Sequence, residues 1–399
     1  MVRSYTVGPA RIAVGNGTLR YGRLAVHEGR IADILDGDGP SDFRVPEGTT
    51  ISPGMIDVHT NGAGDLLFNR DQGNAVELAS KNYAAHGATG FVPTIMTAPW
   101  ESMLHAAAEV AEAAHALLEG DEVTGARCLG LHFEGPFLNP KFRRVHRPDW
   151  LLPATLDRAN ALIDACRGTL VMVTMAPETA GVEDVARFFH AQGIVCSAGH
   201  TAMRYKEGKS AIDAGFRTLT HAFNAMPPLD HRSPSILAAF IEDERTTVQV
   251  ICDGFHVAGV MVDILYKVLH ERLILASDYM APVGSGLRIE GGVVRTEDGT
   301  IAGSALEPDR AVRNLMEFAR IPLEAAIVSA TAAPARLLGI ERDCGTLETR
   351  KRADFALWDA DYKVMATFVG GRPVYGADHF ADADSHRVLS KAASTKNLR

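Results

Sequence analysis

The sequence predicts an α/β fold in which eight parallel strands, each followed by a helix, close into a (β/α)8 TIM-type barrel. Three observations carry this expectation. Near-continuous apolar runs at 54–61, 90–95, 127–134, 169–176, 194–200, 218–224, 248–253 and 273–278 alternate with helix-like segments such as 74–86, 99–118, 181–192 and 259–270. Runs that are apolar throughout suit strands buried on both faces, whereas the intervening segments repeat apolar residues three and four apart. Five runs end on a group capable of metal or proton chemistry: His59 in GMIDVHTN, Glu134 in LGLHFEG, His200 in IVCSAGH, His221 in TLTHAFN and Asp278 in LILASDY. Polar side chains at one end of parallel strands converge, and the C-terminal rim of such a barrel is where its chemistry sits. Finally, both ends of the chain read as β-rich, through YTVGPARIAV and GRLAVHEGRIADIL at the start and ADFALWDADYKVMATFVGGRPVY near the finish.

These signals divide the chain into a composite β-sandwich from 1–52 plus 345–380, a barrel over 53–344, and a polar tail over 381–399. The barrel begins at SPGMIDVH and its last helices are expected over 307–318 and 322–338. At 399 residues and 46% apolar composition, the chain can bury a large core with room for the smaller module. A net charge of −9 provides no basic face for nucleic acid. No run approaches the ~18 apolar residues of a membrane span, and the N-terminal stretch lacks a leader-like apolar core. The five cysteines show no paired spacing and three fall inside predicted strands, which suits buried thiols in a reducing, cytoplasmic compartment.

Two imidazoles and a carboxylate are a standard donor set for a catalytic divalent ion that keeps a position open for water. Glu134, His200 and His221 provide that set from strands three, five and six. His59 and Asn61 lie two apart, so they face the same way on strand one. They fit either a secondary metal position or hydrogen-bonding roles; asparagine is a poor ligand beside histidine, so one strongly held ion per chain is expected. Asp278 is placed to take a proton from an activated water and return it to a leaving amine. After strand six, HAFNAMPPLDHR offers Asn224, the Ala225 amide and the planar fork of Arg232, while His256 in ICDGFHV stands ready for an anionic group. EGPFLNPKFRRVH gathers Lys141, Arg143, Arg144 and His146 beside Glu134, a basic cluster that points to an anionic substrate.

The motifs PGMIDVHTNG, HFEGPFLNP, APE at 176–178, SAGHT, THAFNAMPP, DGFHV and ASDYMAPVG resemble, in order and spacing, those of the N-acetylglucosamine-6-phosphate deacetylases of the amidohydrolase superfamily. TIAGSALEP and GTLETRKRADFALWD extend the resemblance over nearly the whole chain except the tail. The resemblance implies a divalent ion on Glu134, His200 and His221, zinc first, with iron, cobalt or manganese as alternatives. It implies Asp278 as proton carrier and His146 as the group that polarises the acetyl carbonyl. Asn224, Ala225, Arg232 and His256 are implied contacts of the sugar phosphate, the arginine reaching across a homodimer interface, and Leu306 of TIAGSALEP is counted with the substrate set.

The implied reaction takes N-acetylglucosamine-6-phosphate to glucosamine-6-phosphate and acetate. Competing readings are hydrolysis of another N-acyl sugar or amide, and a non-catalytic binding barrel. The sequence departs from the family pattern at KFRRVH, at Tyr279–Met280 and at Glu307–Pro308. All three departures fall on segments expected to face substrate.

Overall fold

The computed structural model describes residues 4–119, 123–282, 287–290, 292–299 and 301–376. The tail expected over 381–399 lies outside them. Eight strand positions run in parallel order: Met55–Thr60, Ala88–Met96, Leu131–Glu134, Leu170–Met175, Val195–Ala198, Phe216–Leu219, Thr247–Val250 and Leu273–Leu275. They are called strands one to eight below. Each hydrogen-bonds to the next, and the ring is drawn shut by a parallel bridge between Thr60 and Tyr279. Helices Phe68–Ala85, Trp100–Glu119, Val182–Ala191, Gly259–Leu269 and Pro308–Ala319 match the expected periodic segments to within a few residues at most ends. Phe68–Ala85 is the exception, beginning before the expected 74. The single helix expected over 322–338 is instead Leu323–Ala326, a 3-10 turn Ile327–Ala330 and Ala332–Leu337, broken where Thr331 leaves helical geometry.

The two chain ends form one seven-stranded sheet in the order Arg372–Tyr375, Val364–Val369, Phe355–Trp358, Thr50–Pro53, Ser4–Ala13, Leu19–His27, Arg30–Asp36. This composite module has its own core, in which Phe355 stacks on Phe368 at 4.4 Å beside Ile12, Leu24 and Ile51. Thr367 Oγ1 donates to the Ala84 carbonyl at 2.6 Å, fastening the module to the helix after strand one. Between strands and helices the barrel packs a continuous apolar layer that includes Phe91, Phe133, Phe189, Phe216 and Phe240.

Inside the ring the composition changes along the axis. Ile56, Val58, Met172 and Ile274 cluster with Ala333 and Ala335. Above them His132 bridges Thr94 Oγ1 (3.1 Å) and Thr174 Oγ1 (2.8 Å), and Thr174 meets Thr220 at 2.8 Å. Burial holds the His132 imidazole well below its ordinary pKa, so it is neutral. Because strand residues two apart share a face, His132 lies directly beneath Glu134. This hydrogen-bonded layer is the floor of the site.

Candidate metal centre

The ordered strands are shorter than the apolar runs that predict them, and the difference falls on the chemistry. Strand five ends at Ala198, strand six at Leu219 and strand eight at Leu275, so His200, His221 and Asp278 stand just beyond the ladder. All three adopt left-handed backbone conformations, with φ of +48°, +32° and +47°. Such conformations cost on the order of 1–3 kcal/mol each in non-glycine residues and persist only where the surroundings over-determine them. Here the surroundings do so. Gly199 N donates to Met175 O, Thr220 N to Ala198 O and Asp278 N to His59 O (2.9–3.1 Å) on one side of each turn, and Asn139 N to His200 O, Ala222 N to Gln249 O and Ser304 N to Asp278 O (2.7–3.0 Å) on the other.

Glu134, His200 and His221 converge to a buried cluster whose ligand atoms all lie within 4.8 Å of one another. His200 Nε2 is 3.0 Å and His221 Nε2 3.2 Å from Glu134 Oε1, and the two Nε2 atoms are 3.1 Å apart. Since His200 Nδ1 meets the Phe142 carbonyl at 2.9 Å, the proton belongs on Nδ1 and Nε2 carries a lone pair. A carboxylate oxygen and an imidazole lone pair held this close repel unless a cation or a proton lies between them. The His221 Nδ1 atom is buried without a partner. Ligand atoms of a tetrahedral ion at roughly 2.0–2.2 Å sit about 3.4 Å apart, so the donor set and its spacing fit a divalent metal. Burial pushes the Glu134 carboxyl upward, but the opposing charge of His59 takes it well below the carboxylate range.

His59 and Asn61 stand beside this cluster rather than within it. Asn61 Nδ2 donates to Asp278 Oδ1 at 2.8 Å, while His59 Nε2 lies 3.4 Å from that oxygen and 3.7 Å from Glu134 Oε2. Burial would lower the His59 pKa, yet the flanking Glu134 and Asp278 carboxylates raise it to about 9. Strand one thus presents an imidazole and an amide to Asp278. The contact coincides with the closing seam of the barrel, where Asp278 N donates to His59 O and Asn61 N to Tyr279 O, each at 2.9 Å. Asp57 Oδ1 accepts from His59 N and Ser277 N across the same seam.

A cavity of about 360 Å³ opens over the cluster, walled by Glu134, His146, His200, His221, Asn224, Ala225, His256 and Asp278 among others. His146 is fixed by Thr97, whose Oγ1 lies 2.5 Å from Nδ1, and burial lowers its pKa to about 3. His256 is fixed by Asp253, which meets Nδ1 at 2.6 Å and also accepts the Phe255 and His256 amides. Arg232 is exposed on a loop outside the cavity wall, and Leu306 is buried behind it. The structure therefore gathers the sequence-predicted site residues except those two and, from the basic cluster, Lys141 and Arg143, which are also absent from the cavity wall. Glu307, at one departure from the family pattern, turns toward Asn82 and His86 instead of the cavity. Two supporting residues were not foreseen. His132 sits beneath the ligands, and Glu178 accepts from Asn139 Nδ2, Ala202 N and Thr201 Oγ1 (2.6–2.7 Å), tying the loops after strands three and five together. The motifs LGLHFEG and APE contained both as visible signals.

A second cavity of about 350 Å³ lies by the segment preceding strand eight, where Arg336 and Lys351 are already paired with Glu271 and Glu348. Among the described residues it carries no comparable ligand cluster, so volume alone does not mark the site.

A profile described as the amidohydrolase family matches residues 50–374. N-acetylglucosamine-6-phosphate deacetylase of Vibrio furnissii is 31% identical over 337 residues, covering 82% of this chain and 83% of the relative. N-acetylgalactosamine-6-phosphate deacetylase of Escherichia coli O157:H7 is 30% identical over 374 residues, covering 89% and 98% respectively. Among solved structures, an aspartate-to-alanine mutant of the Mycobacterium smegmatis N-acetyl-D-glucosamine-6-phosphate deacetylase, in complex with N-acetyl-D-glucosamine-6-phosphate, superposes with a TM-score of 0.85. That structure is 30% identical and the match covers 93% of this chain and 99% of the other. With the barrel, the Glu/His/His cluster and these relatives in agreement, the chain belongs to the amidohydrolase family, closely related in sequence and structure to its N-acetylglucosamine-6-phosphate deacetylases.

Proposed function

We propose that this enzyme hydrolyses the acetamide of an N-acetyl amino-sugar 6-phosphate, N-acetylglucosamine-6-phosphate first, to acetate and the free amino-sugar phosphate. The observation that carries the reading is the convergence of Glu134, His200, His221 and Asp278 on one cavity. A divalent ion on Glu134, His200 and His221 would supply Lewis acidity and a water of lowered pKa, zinc fitting the donors first and iron, cobalt or manganese also matching. One ion per chain is expected, since strand one offers a single imidazole beside an asparagine, a poor ligand, and Asn61 Nδ2 serves Asp278.

The remaining work falls to the chain's own groups. Asn61 holds Asp278 Oδ1, which leaves Oδ2 to take a proton from the attacking water and deliver it to the departing nitrogen as the acetyl C–N bond breaks. Neutral His146, with Thr97 donating to Nδ1, presents Nε2–H to the acetyl carbonyl oxygen. Asn224, the Ala225 amide and His256 receive the sugar phosphate, Asp253 orienting the imidazole.

Arg232 can join them from a partner subunit. Val260, Ile264 and Val268 form an exposed stripe at four-residue spacing on helix Gly259–Leu269, with exposed Phe255 ahead of it, a face that a second copy would cover. The five cysteines are free, in keeping with a reducing cytoplasm. Among the described residues no helix is long and apolar enough to cross a membrane.

The test is acetate release from a panel of N-acetyl amino sugars, gluco and galacto, each with and without 6-phosphate. Turnover concentrated on a phosphorylated member is expected. Turnover indifferent to phosphate would assign the site to another amide.

A further inference from the structure

Two adjacent arginines on the loop after strand three have opposite fates. The Arg143 guanidinium folds back on its own loop, donating to the carbonyls of Arg144 (3.2 Å) and His146 (2.8 Å). Arg144 is exposed, lines the cavity, and among the described residues its guanidinium has no hydrogen-bond or ion-pair partner. Among the described residues it is also the only Lys or Arg that walls the cavity. The loop beneath it is pinned at three points. Phe142 O meets His200 Nδ1 at 2.9 Å, Arg143 clamps two carbonyls, and His146 Nδ1 is held at 2.5 Å by Thr97. A permanent cation on a pinned loop loses little backbone freedom on binding, and its planar fork matches a phosphate or carboxylate.

We propose that Arg144 is a substrate-binding residue, the cation that this subunit itself contributes to the anionic group of its substrate. The proposal rests on the reading of a phosphorylated amino sugar and adds to it a contact made in cis. Arg232 lies outside this cavity wall, so within a single subunit Arg144 is the permanent cation that joins Asn224, Ala225 and His256 at the anion. The loop sequence KFRRVH then marks a specificity element of this chain rather than a lost one.

The experiment compares Arg144→Met, Arg144→Lys and the control Lys141→Met, whose exposed charge lies on the same loop but outside the cavity wall. Steady-state kinetics are read on phosphorylated and unphosphorylated N-acetyl amino sugars, with inhibition by inorganic phosphate measured alongside and metal content as the folding check. Arg144→Met should raise KM for the phosphorylated sugar by about ten- to a hundred-fold, the span expected for one charge-assisted hydrogen bond, with a much smaller change in kcat. The inhibition constant for inorganic phosphate should rise in parallel, Arg144→Lys should recover part of both, and Lys141→Met should change neither. An unchanged KM and phosphate inhibition constant in metal-replete Arg144→Met overturns the proposal, as does an equal loss in Lys141→Met, which would mean a diffuse field. If the wild type ignores substrate phosphorylation, the substrate reading fails separately. The inhibition constant for inorganic phosphate then decides Arg144 by itself.

Discussion

Glu134, His200 and His221 rise from strand ends whose neighbouring backbone is tied into the barrel, and all three are buried. Arg144 and Arg232 instead stand exposed on connecting loops. The contrast separates what must be held to a fraction of an ångström from what must only be within reach. Metal coordination tolerates little displacement, so its imidazoles are placed by left-handed turns locked from both sides and its carboxylate by the last residue of strand three. Anion recognition by a long guanidinium tolerates more, and such positions can change without disturbing the reaction. KFRRVH, one of the expected departures from the family pattern, falls on such a loop, while the buried donors remain.

The largest effect should come from breaking the buried side. Glu134→Gln removes the carboxylate that both imidazoles face, and metal affinity should fall by more than the ~100-fold that losing an outer-shell partner can cost. Metal analysis should find close to one ion per wild-type chain and little in the variant, with activity lost in proportion. Two fully occupied ions in wild-type protein prepared without supplementation would contradict the role given to Asn61. Asp278→Asn probes the same side without touching the ligands. It should keep the ion and lower kcat by ~10²–10⁴-fold, the range for a general acid–base group. A metal-replete, active Asn variant would show that another group moves the proton.

On the loop side the effects should be smaller and selective. Arg232→Ala should cost roughly ten- to a hundred-fold on the phosphorylated substrate and little on its unphosphorylated analogue. Mixing Arg232→Ala chains with Asp278→Asn chains should restore some activity through hybrid dimers. Equal impairment of both substrates would remove Arg232 from phosphate binding.

The smallest effect tests a polar contact away from the cavity. His86 Nδ1 meets Asp309 Oδ1 at 3.0 Å, with Glu307 at 3.8 Å and Arg313 bound to Asp309. Partial burial lowers the His86 pKa, but the Asp309 hydrogen bond and the Glu307 charge more than offset it, so the folded value lies above the unfolded one. The stabilisation is therefore full below the unfolded value near ~6.5 and is lost as pH rises through the folded pKa. Asp309 is shifted down, so its share is present above its unfolded pKa and is lost as pH falls through the folded one. With solvent screening, the contact is worth about 0.5–1 kcal/mol. Denaturant melts of wild type and His86→Gln should differ more at pH 5.5 than at pH 9, and a constant difference would dismiss the pair.

Most of the barrel and the metal donors were legible because two strong regularities overlap: apolar runs mark the strands, and each donor stands at the C-terminal end of one. The left-handed turns at His200, His221 and Asp278 were not legible, since nothing in SAGHT or ASDY announces the backbone flip that ends the ladder early. The break at Thr331 did leave a signal in Pro334, which has no amide for the interior of one helix over 322–338 and sits instead in the first turn of Ala332–Leu337; Thr331 Oγ1 bonds Ile327 O. Asn61 was ambiguous because an amide can ligate or donate, and its 2.8 Å donation from Nδ2 to Asp278, 217 residues away, has no counterpart in sequence spacing. Arg143 and Arg144 are the same letter twice. Their division of labour depends on which side chain curls back, a property of the folded loop.

The seam between His59 and Asp278 also orders events in time. Glu134, His200 and His221 come from a contiguous arc of strands three to six, so an open sheet of those strands already brings the donors together. Asp278 reaches them only when the first and last strands of the ring meet, a closure over more than two hundred residues and the slowest kind of contact to form. During refolding, metal uptake should precede the return of hydrolysis, making enzymatic activity a chemical reporter that the ring has closed.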